Sequence, residues 1–199
     1  MFHGKAFAVL VLCLGIPFIA TWYIVQYLNN DVFYEQKEVH LTSVAWMLNT
    51  QLDEGGYDKI LEESGAENAS REEKISVLNN ALRAVTDKVA SVGEGLGVGF
   101  YSLELDAILT YGPSADFDEN VGKSIAPDHP GRQVMATSTP MVQMGSMVRG
   151  NIMNAMVPVE RKGQVIGYIW ANELISDLES VLNHYIGIIS VLLLLAYLL

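Results

Sequence analysis

The chain has 199 residues, half of them hydrophobic, and 23 acidic against 12 basic side chains give it a net charge of −11. That length holds one ordinary domain with accessories, and a chain this acidic is a poor partner for nucleic acid. A single cysteine, Cys13, excludes an intrachain disulfide, a CxxC zinc site and a CxxCH haem site, so no metal or cofactor is expected.

Residues 1–5 form a short N-terminus with one cation, Lys5. Residues 6–28 (AFAVLVLCLGIPFIATWYIVQYL) carry no charge, and roughly 20 apolar residues suffice to span a bilayer as a helix. Trp22, Tyr23 and Tyr27 near its far end fit an interfacial aromatic belt. The thin positive flank, the length of the run and the lack of an A-x-A site favour an uncleaved anchor over a signal peptide. All 23 acids and 11 of the 12 basic residues fall between Asp31 and Glu179, so that segment carries −12. With Lys5 on the other side, the positive-inside rule places the acidic segment outside the cell.

After the anchor, residues 29–56 read as a helix with Leu41, Val44, Leu48 and Leu52 on one stripe, ended by Gly55-Gly56. A polar linker runs to about Ala69. Residues 70–93 give the clearest helix: Ser70 and Glu73 form a capping box, Ile75, Leu78, Leu82, Val85 and Val89 the apolar face, and Gly93 the stop. The N-A-S triplet at 68–70 matches the glycosylation pattern, but Ser70 is better explained as that cap.

From Leu96 the period turns strand-like. GVGFYSLE and AILTYG are two β-rich runs, and residues 113–130 form a loop by their Pro, Gly and Asp content. GRQVMATST suits a short helix. Three further strands follow over 141–150, 151–160 and 164–173, with Arg161-Lys162-Gly163 as a tight turn in which Gly163 permits positive φ. Residues 175–187 are helical and lead into YIGIISVLLLLAYLL, 185–199. Fifteen residues rise only roughly 22 Å, short of the ~30 Å hydrocarbon core, so this second membrane helix is expected to be incomplete. The result is an α+β chain with an antiparallel sheet of about five strands, long N-terminal helices and a membrane helix at each end.

VGKSI at 121–125, Gly145, RGNIMNAMVPV at 149–159, Gly163 and VIGYIWANEL at 165–174 resemble the extracytoplasmic single-Cache (PAS-like) domain of bacterial sensor histidine kinases, the class that includes citrate and C4-dicarboxylate sensors. The resemblance covers about residues 29–199. It implies an extracytoplasmic sensor domain at 29–184, a small-ligand pocket walled by the last central strands, and a lid made by the loop and short helix before them. It further implies a homodimer in the cell membrane, with both membrane helices relaying the ligand signal. No kinase core lies within these residues, so no catalytic residue is carried over, and a response regulator is a partner only if such a core follows. A chemoreceptor ectodomain, or a stand-alone membrane sensor without kinase activity, is the alternative. A tethered enzyme has no catalytic constellation to support it, and the hairpin and capped helix argue against a purely structural membrane protein.

Candidate ligand contacts follow, each with a structural alternative. Arg149 reads as a bidentate carboxylate clamp or a solvated turn arginine. His129 and Arg132 lie in the lid and suit an anion, while Asp128 is expected to cap the helix that Pro130 opens. By period-2 counting Asn154 shares a face with Ile152, Met156 and Pro158, opposite Asn151, and Tyr168, Trp170 and Asn172 share a face in the partner strand. Asn154, Trp170 and Asn172 would wall a polar ligand or form a structural network. Tyr101 and Tyr111 stand on the same wall or pack the core. Six of the eight Met fall between Met135 and Met156 and are expected in the core, with pocket lining, Cu(I) binding or redox sensing as alternatives.

Overall fold

The structure is a computed structural model describing residues 2–93 and 95–198, with side chains described except at 2–14, 28–30 and 196–198. Lys5, Cys13 and part of the expected 6–28 span therefore lie outside the described side chains. The chain divides into two compact units, 1–37 with 178–199, and 38–177.

In the first unit, helix α1 (Phe2–Asn49) and helix α6 (Ile175–Leu198) meet where Trp22 Nε1 donates to Ser190 Oγ at 2.9 Å and Gln26 Nε2 to the same oxygen at 3.3 Å. Ile16, Ile19, Tyr23, Val191, Leu192 and Leu195 are exposed. Among the described residues one stretch, Ile175–Leu195, is long and apolar enough to cross a membrane, by length and composition.

The second unit is a five-stranded antiparallel sheet in the order β2-β1-β5-β4-β3, with helices on its N-terminal side of the sequence. This is the α+β architecture that the single-Cache resemblance implied. Strands β1 (Gly97–Ser102) and β2 (Ala107–Gly112) are buried along their whole length, because both faces of this end of the sheet are covered. Strands β3 (Met141–Met147), β4 (Gly150–Arg161) and β5 (Gln164–Leu174) complete the sheet. Lys162 and Gly163 take φ of 51° and 76° between β4 and β5, the two positive values of a type I′ hairpin turn.

Helix α3 (Arg71–Ala90) covers one face. Ser70 accepts a hydrogen bond from the Glu73 backbone N–H as its N-cap, and Ile75, Leu78, Leu82 and Val89 are buried. Val85 is only half-buried, and the helix stops at Ala90 rather than Gly93. Two polar ties hold α3 to β2. Asn79 Nδ2 donates to the Leu109 carbonyl at 2.8 Å and Thr86 Oγ1 to Thr110 Oγ1 at 2.9 Å. The stripe Leu41, Val44, Leu48 and Leu52 is buried as expected.

The polar linker is a correction. Residues Gly56–Glu63 form helix α2, which buries Tyr57 and Leu61. The Tyr57 ring meets Phe100 edge-on at 6.5 Å and its hydroxyl donates to the Tyr101 carbonyl at 3.2 Å. Gly55-Gly56 thus opens one helix rather than closing another: α1 ends at Asn49, and Gly56 takes φ +62° at the start of α2. The loop 113–130 likewise contains a turn of helix, α4 (Ser114–Phe117), and a 3₁₀ turn at Asp118–Asn120. Helix α5 (Pro130–Thr137) is the short helix expected there.

Candidate functional site

The sheet face away from α3 carries three rows of side chains set by strand register. Gly97, Asn172, Asn154 and Gln143 are cross-strand neighbours on β1, β5, β4 and β3. Below them stand Gly99, Trp170, Met156 and Met141, with Tyr111 opposite Gly99. The third row joins Tyr101, Tyr168 and Pro158. Paired residues share a face, so one row is polar and two are aromatic and aliphatic. Tyr168 and Trp170 lie 5.7 Å apart, Trp170 and Tyr111 5.3 Å, and Tyr111 stacks on Phe117 at 4.8 Å.

Above these rows lies a cleft of about 500 Å³. That volume is in the range of small-ligand sites. Its floor includes Asn154, Asn172, Trp170, Tyr168, Tyr111, Ile108 and Ile152. One wall is the segment from Asn120 through Pro130, and the other is β3 and its turn, with Gln143, Ser146, Met147 and Val148. The 122–123 backbone is tied to β2: Gly122 N donates to Ile108 O at 2.8 Å and Ile108 N to Lys123 O at 2.9 Å. Lys123 Nζ donates to Asn120 Oδ1 at 3.0 Å, which keeps a cation on the rim.

Five of the eight expected residues line this cleft: Asn154, Asn172, Trp170, Tyr111 and His129. His129, not Asp128, is the N-cap of α5, a correction. Its Nδ1 accepts the Gly131 backbone N–H at 3.0 Å because the ring follows directly before Pro130. Burial, and then the Arg132 guanidinium, hold His129 below the ordinary histidine pKa against the pull of Asp128. With Nδ1 accepting, the neutral ring carries its proton on Nε2. Helix α5 sits close over the aromatic wall. A Cβ at Gly131 would lie 2.6 Å from Tyr168 Cζ, so only glycine fits there.

Arg149 is not a solvated turn residue. It leaves the β3–β4 turn and its Nη1 donates to Asn172 Oδ1 at 2.8 Å, with the guanidinium 5.2 Å above the Phe117 ring. Gly97 makes the room, since a Cβ there would meet Arg149 Nη1 at 2.4 Å and Asn172 Oδ1 at 2.5 Å. Arg149 therefore charges the polar row through Asn172, while the cleft lining itself does not include it.

Tyr101 and Arg132 also lie outside the lining. Both are bound to Asp106: the Tyr101 hydroxyl donates to Oδ1 at 2.6 Å, and Arg132 Nη1 reaches the same oxygen at 2.8 Å. Ser124 Oγ donates to Asp106 Oδ2 at 2.5 Å, and Arg132 Nη2 donates to the Ile125 carbonyl at 2.9 Å. This cluster clasps the cleft wall to the β1–β2 turn. The Ser124 hydroxyl, then the Tyr101 hydroxyl and Arg132, draw the Asp106 pKa down to about 2. A carboxylate with a depressed folded pKa adds stability above its unfolded value of roughly 4, and loses it as pH falls through the folded value. Wild type is therefore expected to lose stability between about pH 4 and pH 2 more steeply than Asp106→Asn. Parallel acid melts of the two proteins check this, and identical slopes would rule the clasp out.

Sequence reasoning missed Lys123, Asn120, Gln143, Ser146 and Val148. Gln143 was within reach, because a hairpin register pairing 143 with Asn154 puts it on the same face. Lys123 stood in the VGKSI stretch. Met141 packs against the aromatic cluster, Met135 and Met156 are in it, and Met147 lines the cleft. Among the described residues no group of three or more His, Cys, Asp or Glu is placed to hold a metal ion.

Residues 3–180 match the model of the AtoS N-terminal domain family. The chain belongs to that family. This AtoS N-terminal domain is 42% identical over 169 residues to the signal transduction histidine-protein kinase AtoS of Escherichia coli K12, covering 85% of the chain and 27% of that kinase. It thus spans about a quarter of the length of that curated relative. Among solved structures it is similar to the ligand-binding domain of the Pseudomonas aeruginosa amino acid chemoreceptor PctC in complex with GABA. That likeness has 13% identity and a TM-score of 0.45, over 83% of this chain and 66% of the other. It is also similar to the Escherichia coli DcuS sensor domain, with 10% identity and a TM-score of 0.40, over 52% of this chain and 73% of that one.

Proposed function

We propose that this AtoS N-terminal domain is the ligand-sensing part of a membrane sensor histidine kinase, and that the cleft over the sheet binds a small extracytoplasmic ligand. The observation that carries the reading is the cleft floor. A polar row of asparagines, charged through Arg149, lies beside an aromatic wall, with Lys123 and a neutral His129 at the rim. Such a surface suits a small acid: the aromatic wall takes the carbon skeleton, and the cationic and N–H groups take a carboxylate.

Two membrane helices, at 6–28 and 185–199, with the sensor domain at 29–184 outside the cell, fit the charge distribution and the exposed apolar side chains of the first unit. Ser190 turns to Trp22 and Gln26 while its aliphatic neighbours stay exposed, as suits helices that face lipid. The chain works as a homodimer, and a response regulator is its partner where a kinase core follows. Signalling requires that the ligand bind the two states of the sensor with different affinity.

The test is thermal unfolding of the chain in detergent micelles against small carboxylates, amino acids and metal ions. A ligand at 100 times its dissociation constant adds about 2.7 kcal/mol. Arg149→Ala removes the charge behind the polar row and the charge-assisted hydrogen bond, worth ~1.5–3 kcal/mol, that orients Asn172, and is expected to weaken a carboxylate by about tenfold. A stabilising acid bound equally well by Arg149→Ala would remove Arg149 from the site. No shift with any compound would remove the cleft.

A further inference from the structure

Asn154 is 3% exposed and stands on the cleft floor, yet its Oδ1 has no hydrogen-bond partner. The amide cannot simply be turned to hide this. Its Nδ2 donates to Met147 Sδ at 3.4 Å, and a thioether sulfur only accepts, so the carbonyl oxygen must be the other end. The flanking side chains supply no relief. Asn172, the cross-strand neighbour, is oriented by Arg149 through its Oδ1, and its amide N–H groups do not reach Asn154 Oδ1. Most buried polar atoms in folded proteins are paired, and one left over on a cleft floor points to a partner that enters the cleft.

We propose that the ligand presents a hydrogen-bond donor to Asn154 Oδ1, so that the cleft selects a small acid bearing an amino or hydroxyl group over the same acid without one. This rests on the reading of the cleft as a small-acid site. Lys123 and His129 offer only donors to the cleft in their present states and serve the acid group, with Arg149 adding its charge through Asn172. Asn154 Oδ1 is the complementary acceptor, and it discriminates because an analogue lacking the donor leaves a buried oxygen unpaired. Two orienting contacts of opposite hydrogen-bonding sense would also fix which end of the ligand faces Lys123 and His129.

The experiment compares matched probes on the full chain in detergent micelles: propionate, L-lactate and L-alanine, and succinate, L-malate and L-aspartate. Dissociation constants come from titration calorimetry. At least one substituted acid is expected to bind about tenfold or more tightly than its unsubstituted parent. Asn154→Leu, similar in size and without the acceptor, is expected to erase that ratio. Asn154→Ala, which removes the acceptor without filling the space, gives a second reading, and the ratio should fall there too. Equal binding of parent and substituted acids to wild type would overturn the donor requirement and leave the cleft reading standing. A preference that survives in a folded Asn154→Leu, or in Asn154→Ala where the first does not fold, would overturn the role of Asn154. If none of the six acids binds, the small-acid reading fails and this inference fails with it.

Discussion

Arg161→Met is expected to destabilise the sheet domain by roughly 3 kcal/mol, a drop in melting temperature of about 6–12 °C for a chain of this size. Nη2 donates to Asn49 O at 2.8 Å, Asn49 Oδ1 at 2.9 Å and Leu52 O at 2.8 Å, and Nε to Asp53 O at 2.8 Å. The last carbonyls of a helix have no partner within it. One guanidinium from the β4–β5 hairpin thus closes the end of α1 and the turn after it. Methionine keeps most of the stem and removes every donor, so the Leu52 carbonyl and Asn49 Oδ1 lose their partner, while the Asn49 and Asp53 carbonyls keep only the Leu52 and Gly56 backbone N–H groups. Arg161→Lys keeps the charge but not the planar fork, and should recover less than half of the loss. Chemical denaturation followed by far-ultraviolet dichroism measures both. A loss under about 0.5 kcal/mol in Arg161→Met would mean that water satisfies these carbonyls equally well.

The second large effect lies under the cleft. Gly99→Ala is expected to cost about 2–4 kcal/mol, at or above the usual range for an overpacked core, because one of its clashes is with backbone. The added Cβ would stand 2.2 Å from Trp170 Cζ2 and 2.3 Å from the Thr110 carbonyl oxygen. The indole can swing away only by leaving its edge-on contact with Tyr111, and the Thr110 carbonyl is held by the β1–β2 pairing. The substitution therefore either unfolds the sheet edge or rebuilds the cleft floor. Near-ultraviolet dichroism separates these outcomes, since a rebuilt floor changes the aromatic signal in a protein that still melts cooperatively. An unchanged melting temperature together with an unchanged aromatic signal would show that the glycine is not needed there.

Much of the candidate site was legible in the chain. A period of two assigned Asn154, Met156 and Pro158 to one face and Tyr168, Trp170 and Asn172 to one face, and the hairpin turn brought the two sets together in register. Arg149 was legible as a charged residue beside a strand turn, though not that it folds back onto Asn172. Arg132 and Tyr101 carried the right chemistry for a pocket and lie elsewhere, because Asp106, a turn residue far from Arg132 in sequence, binds them both. His129 took the capping role expected of Asp128, since either side chain offers an acceptor before Pro130 and only the local backbone decides which one reaches Gly131.

The sequence alone determined the quantities that repeat along the chain. Hydrophobic period distinguished helix from strand, Ser70 capped α3, the Lys162-Gly163 turn set the last hairpin, and the charge distribution separated the apolar ends from the acidic middle. The tertiary structure decided what depends on residues distant in sequence. Helix α2 is eight residues long and is held by Tyr57 against Phe100 and Tyr101, so its own sequence reads as a linker. The cleft exists because the strand order places β5 between β1 and β4, which lines up Gly97, Asn172, Asn154 and Gln143 from four strands. Local propensity acts over a few residues, whereas strand order, side-chain clasps such as Asp106 with Arg132, and an unpaired atom such as Asn154 Oδ1 are properties of the assembled sheet.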